Sequence, residues 1–316
     1  MCVGTSGADE LKRYLEKRMS IFSRFFGRNE NDDRVTQLVA NPQIENPLSL
    51  QLLHEGQLCL QSDEMTAALR SYHTSMATAR CEIDQALSEE GKIFGLAGWG
   101  SHVIKLVGFD CPMPTEAVES CIAPSHYPQQ LKDRARSHSG HVLLYYAGYE
   151  SSPYEQYVAL AAVAGALSDL GVIVVLNESA HTSFPAAALS DAEVDGDIIE
   201  LLRTLPLAIL YCGFVKYEVE GMSGVWMRTY GAHLLELPDF AAYASGHDEG
   251  QRYFDIFENI FAYLKDSGAV LGAGHTMQVG EHEFLKCRER TEDEYFLESD
   301  GDLLVAEIIG SDEINQ

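Results

Sequence analysis

Three sets of residues in this chain have the side-chain types and spacing that chemistry uses. The first is Asn177, Glu178 and His181, which follow the apolar run Val172 to Leu176. A carboxylate close to an imidazole can exchange a proton with a substrate or hold a metal ion. The plainer reading is a loop whose polar side chains cap the next segment. The second set is His138 and His141. Residues three apart in an extended segment point to opposite faces, so a shared metal needs a turn at Ser139-Gly140 to redirect one of them. Without it both are structural or surface histidines, and no metal is expected. The third set is Trp226, Arg228, Tyr230, His233 and Glu236. An Arg between two aromatics on one strand face can bind an anion or a peptide, or it can build a cross-strand ladder.

Other catalytic signatures are missing. The chain has no HExxH and no GxSxG elbow, and Gly272-Ala273-Gly274-His275 lacks the Lys-Ser/Thr of a phosphate loop. Cys212 falls in an apolar run whose burial would keep a nucleophile from substrate. No cofactor is implied.

The elements that must position these residues start with His141 to Ala147, an apolar aromatic run of the length of a buried strand. Ser152-Pro153-Tyr154-Glu155 then opens a helix, with Ser152 as cap, Pro153 in the first turn and Glu155 completing a capping box. Apolar residues run almost all round this helix to Leu170, so it is expected to be buried, and Gly171 is its left-handed stop. Val172 to Leu176 is the next strand. Strand, helix and strand together suit a crossover between parallel strands.

Upstream, strands are expected at Leu48 to Leu53, Ala79 to Ile83 and His102 to Gly108. Helices are expected from Ser62 to about Tyr72, over Thr115 to Ser120 and over Pro128 to Ser137, and Gly91 to Gly100 reads as a Gly-rich stretch. This order of elements is that of a split βαβ, ferredoxin-like unit. Downstream, Leu207 to Val215 reads as a buried strand, followed by a strand at Val225 to Tyr230. Pro238 to Tyr243 reads as a loop or short helix, and Gln251 to Lys265 as an amphipathic helix. Strands at Val270 to Val279, Glu283 to Cys287, Tyr295 to Glu298 and Leu303 to Ile308 complete the chain, with a hairpin turn at Asp300-Gly301. The fold expected is α+β: a ferredoxin-like first half continuing into a second mixed sheet with helices packed on it. Residues 1–34 read as a basic amphipathic leader and linker, and 35–316 as one globular domain with sub-halves at 48–150 and 151–310.

Composition narrows the partners. The chain has 316 residues and a formal net charge of -26, from 22 basic and 48 acidic residues. Such a balance argues against binding a phosphate backbone, which relies on a positive surface. Seven scattered cysteines with no CxxC pair read as reduced thiols, and a cytoplasmic location is expected. No apolar stretch reaches the ~18 residues of a membrane span. The leader at 9–28 could dock on a membrane surface or a partner, or pack on its own domain.

Several segments together resemble the bacterial family called domain of unknown function 4261. They are HxxHVLL (138–144), YVALAAVAGAL (157–167), VIVVLNESAHTSFPAAAL (172–189), LPLAILYCGF (205–214), GVWMRTYGAHLLELPDF (224–240) and GAVLGAGHTM (268–277). The resemblance runs from about residue 48 to about 309. It implies a globular module without an assigned activity, and no catalytic residues to carry over. The function expected is therefore a non-enzymatic module that binds a protein or a small molecule, with self-association open. The alternative is a hydrolase or metal-dependent enzyme using Glu178 and His181.

Overall fold

The computed structural model describes residues 37–85, 87–88, 91–190 and 196–313, and the leader expected at 9–28 lies outside them. Two β-sheets form the framework. The first, in order of pairing, holds β2 (Arg80–Ile83), β3 (Lys92–Trp99), β4 (His102–Phe109), β5 (Gly140–Tyr146), β1 (Ser49–His54), β6 (Val172–Asn177) and β7 (Thr182–Pro185). Every neighbouring pair in it is antiparallel. The second holds β11 (Thr276–Gln278), β12 (Glu283–Arg288), β13 (Leu303–Gly310), β10 (Asp239–Ala244), β9 (Val225–Tyr230) and β8 (Gly213–Tyr217). It is mixed, because β10 and β13 run parallel. The α-helices are α1 (Ser62–Tyr72), α2 (Thr115–Ile122), α3 (Gln129–Arg136), α4 (Pro153–Ala166), α5 (Ile198–Thr204), α6 (Leu207–Leu210) and α7 (Gly250–Ser267).

The central strand–helix–strand unit forms where the sequence placed it. Ser152 Oγ accepts the Glu155 N–H and Pro153 opens α4. Glu155 does not close the capping box; Arg203 of α5 takes its carboxylate at 2.9 Å. From Tyr157 to Ala166 the helix is buried without a break, and every residue of β5 and β6 is buried too. Gly171 turns the chain at φ 90°, and a side chain there would meet the His54 ring.

β5 and β6 run parallel, as the crossover predicts, but they do not pair with each other. β1 lies between them and is antiparallel to both, so the helix spans one intervening strand. This also removes the ferredoxin-like order expected for the first half. There β1 would pair with one of the middle strands, whereas its neighbours are β5 and β6, and β4 pairs with β5. Pairing is a long-range choice that local apolar runs do not encode.

Four local expectations change as well. Leu207 to Val215 is not one strand: after Pro206, Leu207–Leu210 turns as α6, and β8 starts only at Gly213. The freed N–H groups of Leu207 and Ala208 donate to the Glu258 carboxylate of α7 at 2.9 and 2.6 Å, which favours helix over strand for this short run. Residues 239–244 form β10 instead of a loop or helix. Glu292–Leu297 is a 3₁₀ helix with a Thr291/Glu294 capping box, not a strand, so Asp300-Gly301 turns no hairpin. Of the strand expected at Val270 to Val279, only Thr276–Gln278 pairs. The Gly-rich stretch at 91–100 is mostly strand β3, whose Gly95 and Gly98 let the backbones of Glu82 and His102 approach.

One apolar core runs through both sheets. It joins Leu50, Leu144 and Val175 of the first sheet, Leu160 of α4, Met227 and Phe240 of the second sheet, and Phe257 of α7. Where the sheets meet, a side chain at Gly213 would lie 1.6 Å from the Ala180 carbonyl oxygen, and one at Gly231 would lie 3.2 Å from the Ser179 carbonyl oxygen. Gly213→Ala is therefore expected to cost about 3 kcal/mol or more in urea unfolding. Gly272→Ala, in open space, should cost less than ~0.5 kcal/mol. Equal effects would remove the contact from this role.

Candidate functional site

The sheet junction builds a cleft. After β6, residues Glu178–Ala180 make a single 3₁₀ turn, and His181 follows in the left-handed region at φ 49°. Few non-glycine residues adopt that backbone, and it is found where surrounding structure imposes it. Ala180 is wedged on Gly213 and Gly231, so the turn and the end of β9 are held together. Between them opens a cavity of about 610 Å³ whose lining includes Glu116, Glu178, His181, Arg228, Tyr230, His233, Asp239, Glu298 and Asp300. Glu178 with His181 and Arg228 with Tyr230 and His233, two separate sets in the sequence, thus face one space.

Arg228 is 2% exposed. Its guanidinium stacks on the Tyr230 ring at 4.2 Å, and its terminal nitrogens donate to the carbonyls of Phe296, at 3.4 Å, and Glu298, at 2.8 Å. These bonds tie the 296–298 backbone over β9. The Nε–H, also buried, has no hydrogen-bond partner. The Tyr230 ring receives the edge of His181 at 4.6 Å on another side.

The two cleft histidines differ. His233 Nδ1 contacts the Asp239 carboxylate at 3.3 Å, and that buried acid also accepts from Thr229 Oγ1 and the Ala232 N–H. The hydrogen bond from His233 to Asp239 lifts the imidazole above its ordinary 6.5. Burial, then the Arg228 charge, pushes His181 below 6.5, while Asp300 and Glu178 pull the other way. Gly301 packs on His233, where a side chain would lie 2.2 Å from its Cβ, so the 298–301 segment closes the cleft.

The remaining sequence candidates lie outside the cleft lining. Asn177 is wholly buried, and its Nδ2 donates to the carbonyls of Leu210 and Tyr211 at 2.9 and 3.2 Å, fastening β6 to α6. Trp226 lies among Tyr243 and Phe296, away from the cleft lining. Glu236 is exposed and outside the lining. His138 bonds the Met113 N–H and the Ala135 carbonyl, and His141 bonds the Cys111 carbonyl and stacks on Phe109. Among the described residues no group of three or more His, Cys, Asp or Glu is placed to hold a metal ion. Cys212 is wholly buried ahead of β8, and burial pushes its thiol well above its ordinary range. Sequence reading missed Glu116, Asp239 and Glu298 as cleft residues and took Asp300 for a turn position. Their roles come from pairing and chain closure, which leave no local signal.

Much of this cleft lies in a recognised stretch. Residues 228–301 match the family described as Domain of unknown function (DUF4261). The DUF4261 match is narrower than the span of the resemblance. It takes in Arg228, Tyr230, His233, Asp239 and Asp300, while Glu178 and His181 fall outside it. Neither a curated protein nor a solved structure matches the chain. No helix among the described residues is long and apolar enough to cross a membrane.

The histidines give a direct check. In an NMR titration His233 should titrate above 6.5 and His181 below it. By linkage, the raised His233 adds stability that is complete below 6.5 and is lost as pH rises through its folded value. The lowered His181 adds stability that is present above 6.5 and lost as pH falls. His233→Gln should abolish the acid-side gain. The reverse order of titration would refute this account of the site.

Proposed function

We propose that the protein is a binding module that takes a small ligand in the cleft between the end of β6 and the end of β9. The observation that carries this reading is the convergence of Glu178, His181, Arg228, Tyr230 and His233 on one concave space of about 610 Å³. Pockets of this size, with a few polar groups aimed inward, are the usual form of small-molecule sites. The module is taken to be a single domain over 35–316, supported by the core that runs through both sheets. Cytoplasmic residence belongs to the same reading and is supported by the acidic composition.

The hydrolase alternative has one observation in its favour. His181 is held below its ordinary pKa, so it is neutral near pH 7 and able to accept a proton with Glu178 close by.

A fragment screen followed by backbone amide shifts separates the two. A binding module predicts hits whose shifts cluster at 179–181, 230–233 and 299–300, with affinity weakened about tenfold by Tyr230→Ala and no turnover. Hydrolysis of model esters that disappears in His181→Ala would transfer the cleft to the enzyme reading. Hits that all map elsewhere would leave neither.

A further inference from the structure

The cleft sets one buried cation below exposed acids. Arg228 is the one Lys or Arg in the lining, and Glu116, Glu178, Asp239, Glu298 and Asp300 are its acids. Of these, Asp239 is occupied by Thr229, Ala232 and His233. Glu116, Glu298 and Asp300 stand exposed at the rim. The guanidinium, by contrast, is on the floor, stacked on Tyr230, with two of its donors spent on neutral carbonyls. Isolated buried cations are costly, and a charge-assisted bond to an anion is the strongest compensation available. The buried Arg228 Nε–H makes no hydrogen bond of its own. A guanidinium presents donors in a planar fork that matches a carboxylate.

The rim decides between anions. A compact polyanion such as phosphate would reach Arg228 only past a ring of carboxylates, in a chain of net charge -26. A molecule with a carboxylate at one end and an ammonium at the other meets favourable charge at both depths. We propose that the cleft binds a small zwitterion of the amino-acid class, its carboxylate on Arg228 and its ammonium at Asp300. This rests on the cleft being the ligand site of the protein. His181, edge-on to Tyr230 and neighboured by Arg228, Asp300 and Glu178, stands between the two charged ends.

The test is calorimetric titration of the full chain with a panel of α- and ω-amino acids, acetate, methylammonium and inorganic phosphate. At least one amino acid should bind more than about tenfold tighter than acetate or methylammonium. Arg228→Met should abolish that binding. Because Arg228 also anchors the 296–298 backbone, the decisive variant is the exposed Asp300→Asn. It should weaken the amino acid about tenfold and leave acetate within about twofold, the signature of one lost charge contact. Acetate or phosphate binding as tightly as every amino acid would overturn the proposal, and so would an Asp300→Asn variant with unchanged amino-acid affinity. Neutral fragments seated in the cleft with no amino-acid binding would overturn this assignment alone. A cleft that takes no ligand would overturn the binding-module reading beneath it.

Discussion

The close approach of Ala180 to Gly213 and Gly231 is the contact on which the site depends. Backbone meets backbone there, and only glycine leaves the space. The approach sets the end of β6 against the starts and ends of β8 and β9, so two sheets with separate pairing networks share one junction. Asn177 reinforces it by donating to the carbonyls that follow α6. His181 takes its left-handed backbone immediately after this wedge, and Arg228 lies two residues before Tyr230 on the facing strand.

Burial then governs the chemistry. In an acidic chain a surface arginine would find many carboxylates. Arg228 is instead shut beneath the 296–298 backbone, where carbonyl oxygens and an aromatic face are its partners. Low local dielectric strengthens what such a cation can do for an approaching carboxylate. Burial also pushes the His181 pKa down, while the hydrogen bond to Asp239 pushes that of His233 up. Two imidazoles in one cleft are therefore shifted in opposite directions, for reasons visible in their neighbours.

Periodicity and capping made the central unit legible. The Ser152-Pro153 start, the all-round apolar helix and the Gly171 stop were written in adjacent residues, and β5, α4 and β6 formed there. The grouping of Trp226, Arg228 and Tyr230 on one face of a strand was equally legible, because alternation is local. Short apolar runs were not: Leu207 to Leu210 is helical because Glu258, distant in sequence, receives its N–H groups. Tyr295 to Glu298 follows the Thr291/Glu294 capping box instead of a strand pattern.

By itself, then, the sequence determined the elements of the central unit, the chain's acidic character and the alternation of side chains along its strands. Those properties depend on neighbours within a turn or two. The insertion of β1 between β5 and β6 and the mixed pairing of β10 with β13 were decided only in three dimensions. So was the meeting of Glu178 and His181 with Arg228, Tyr230 and His233. Each requires residues far apart in sequence to compete for the same backbone partners or the same buried volume, and that competition is settled by packing.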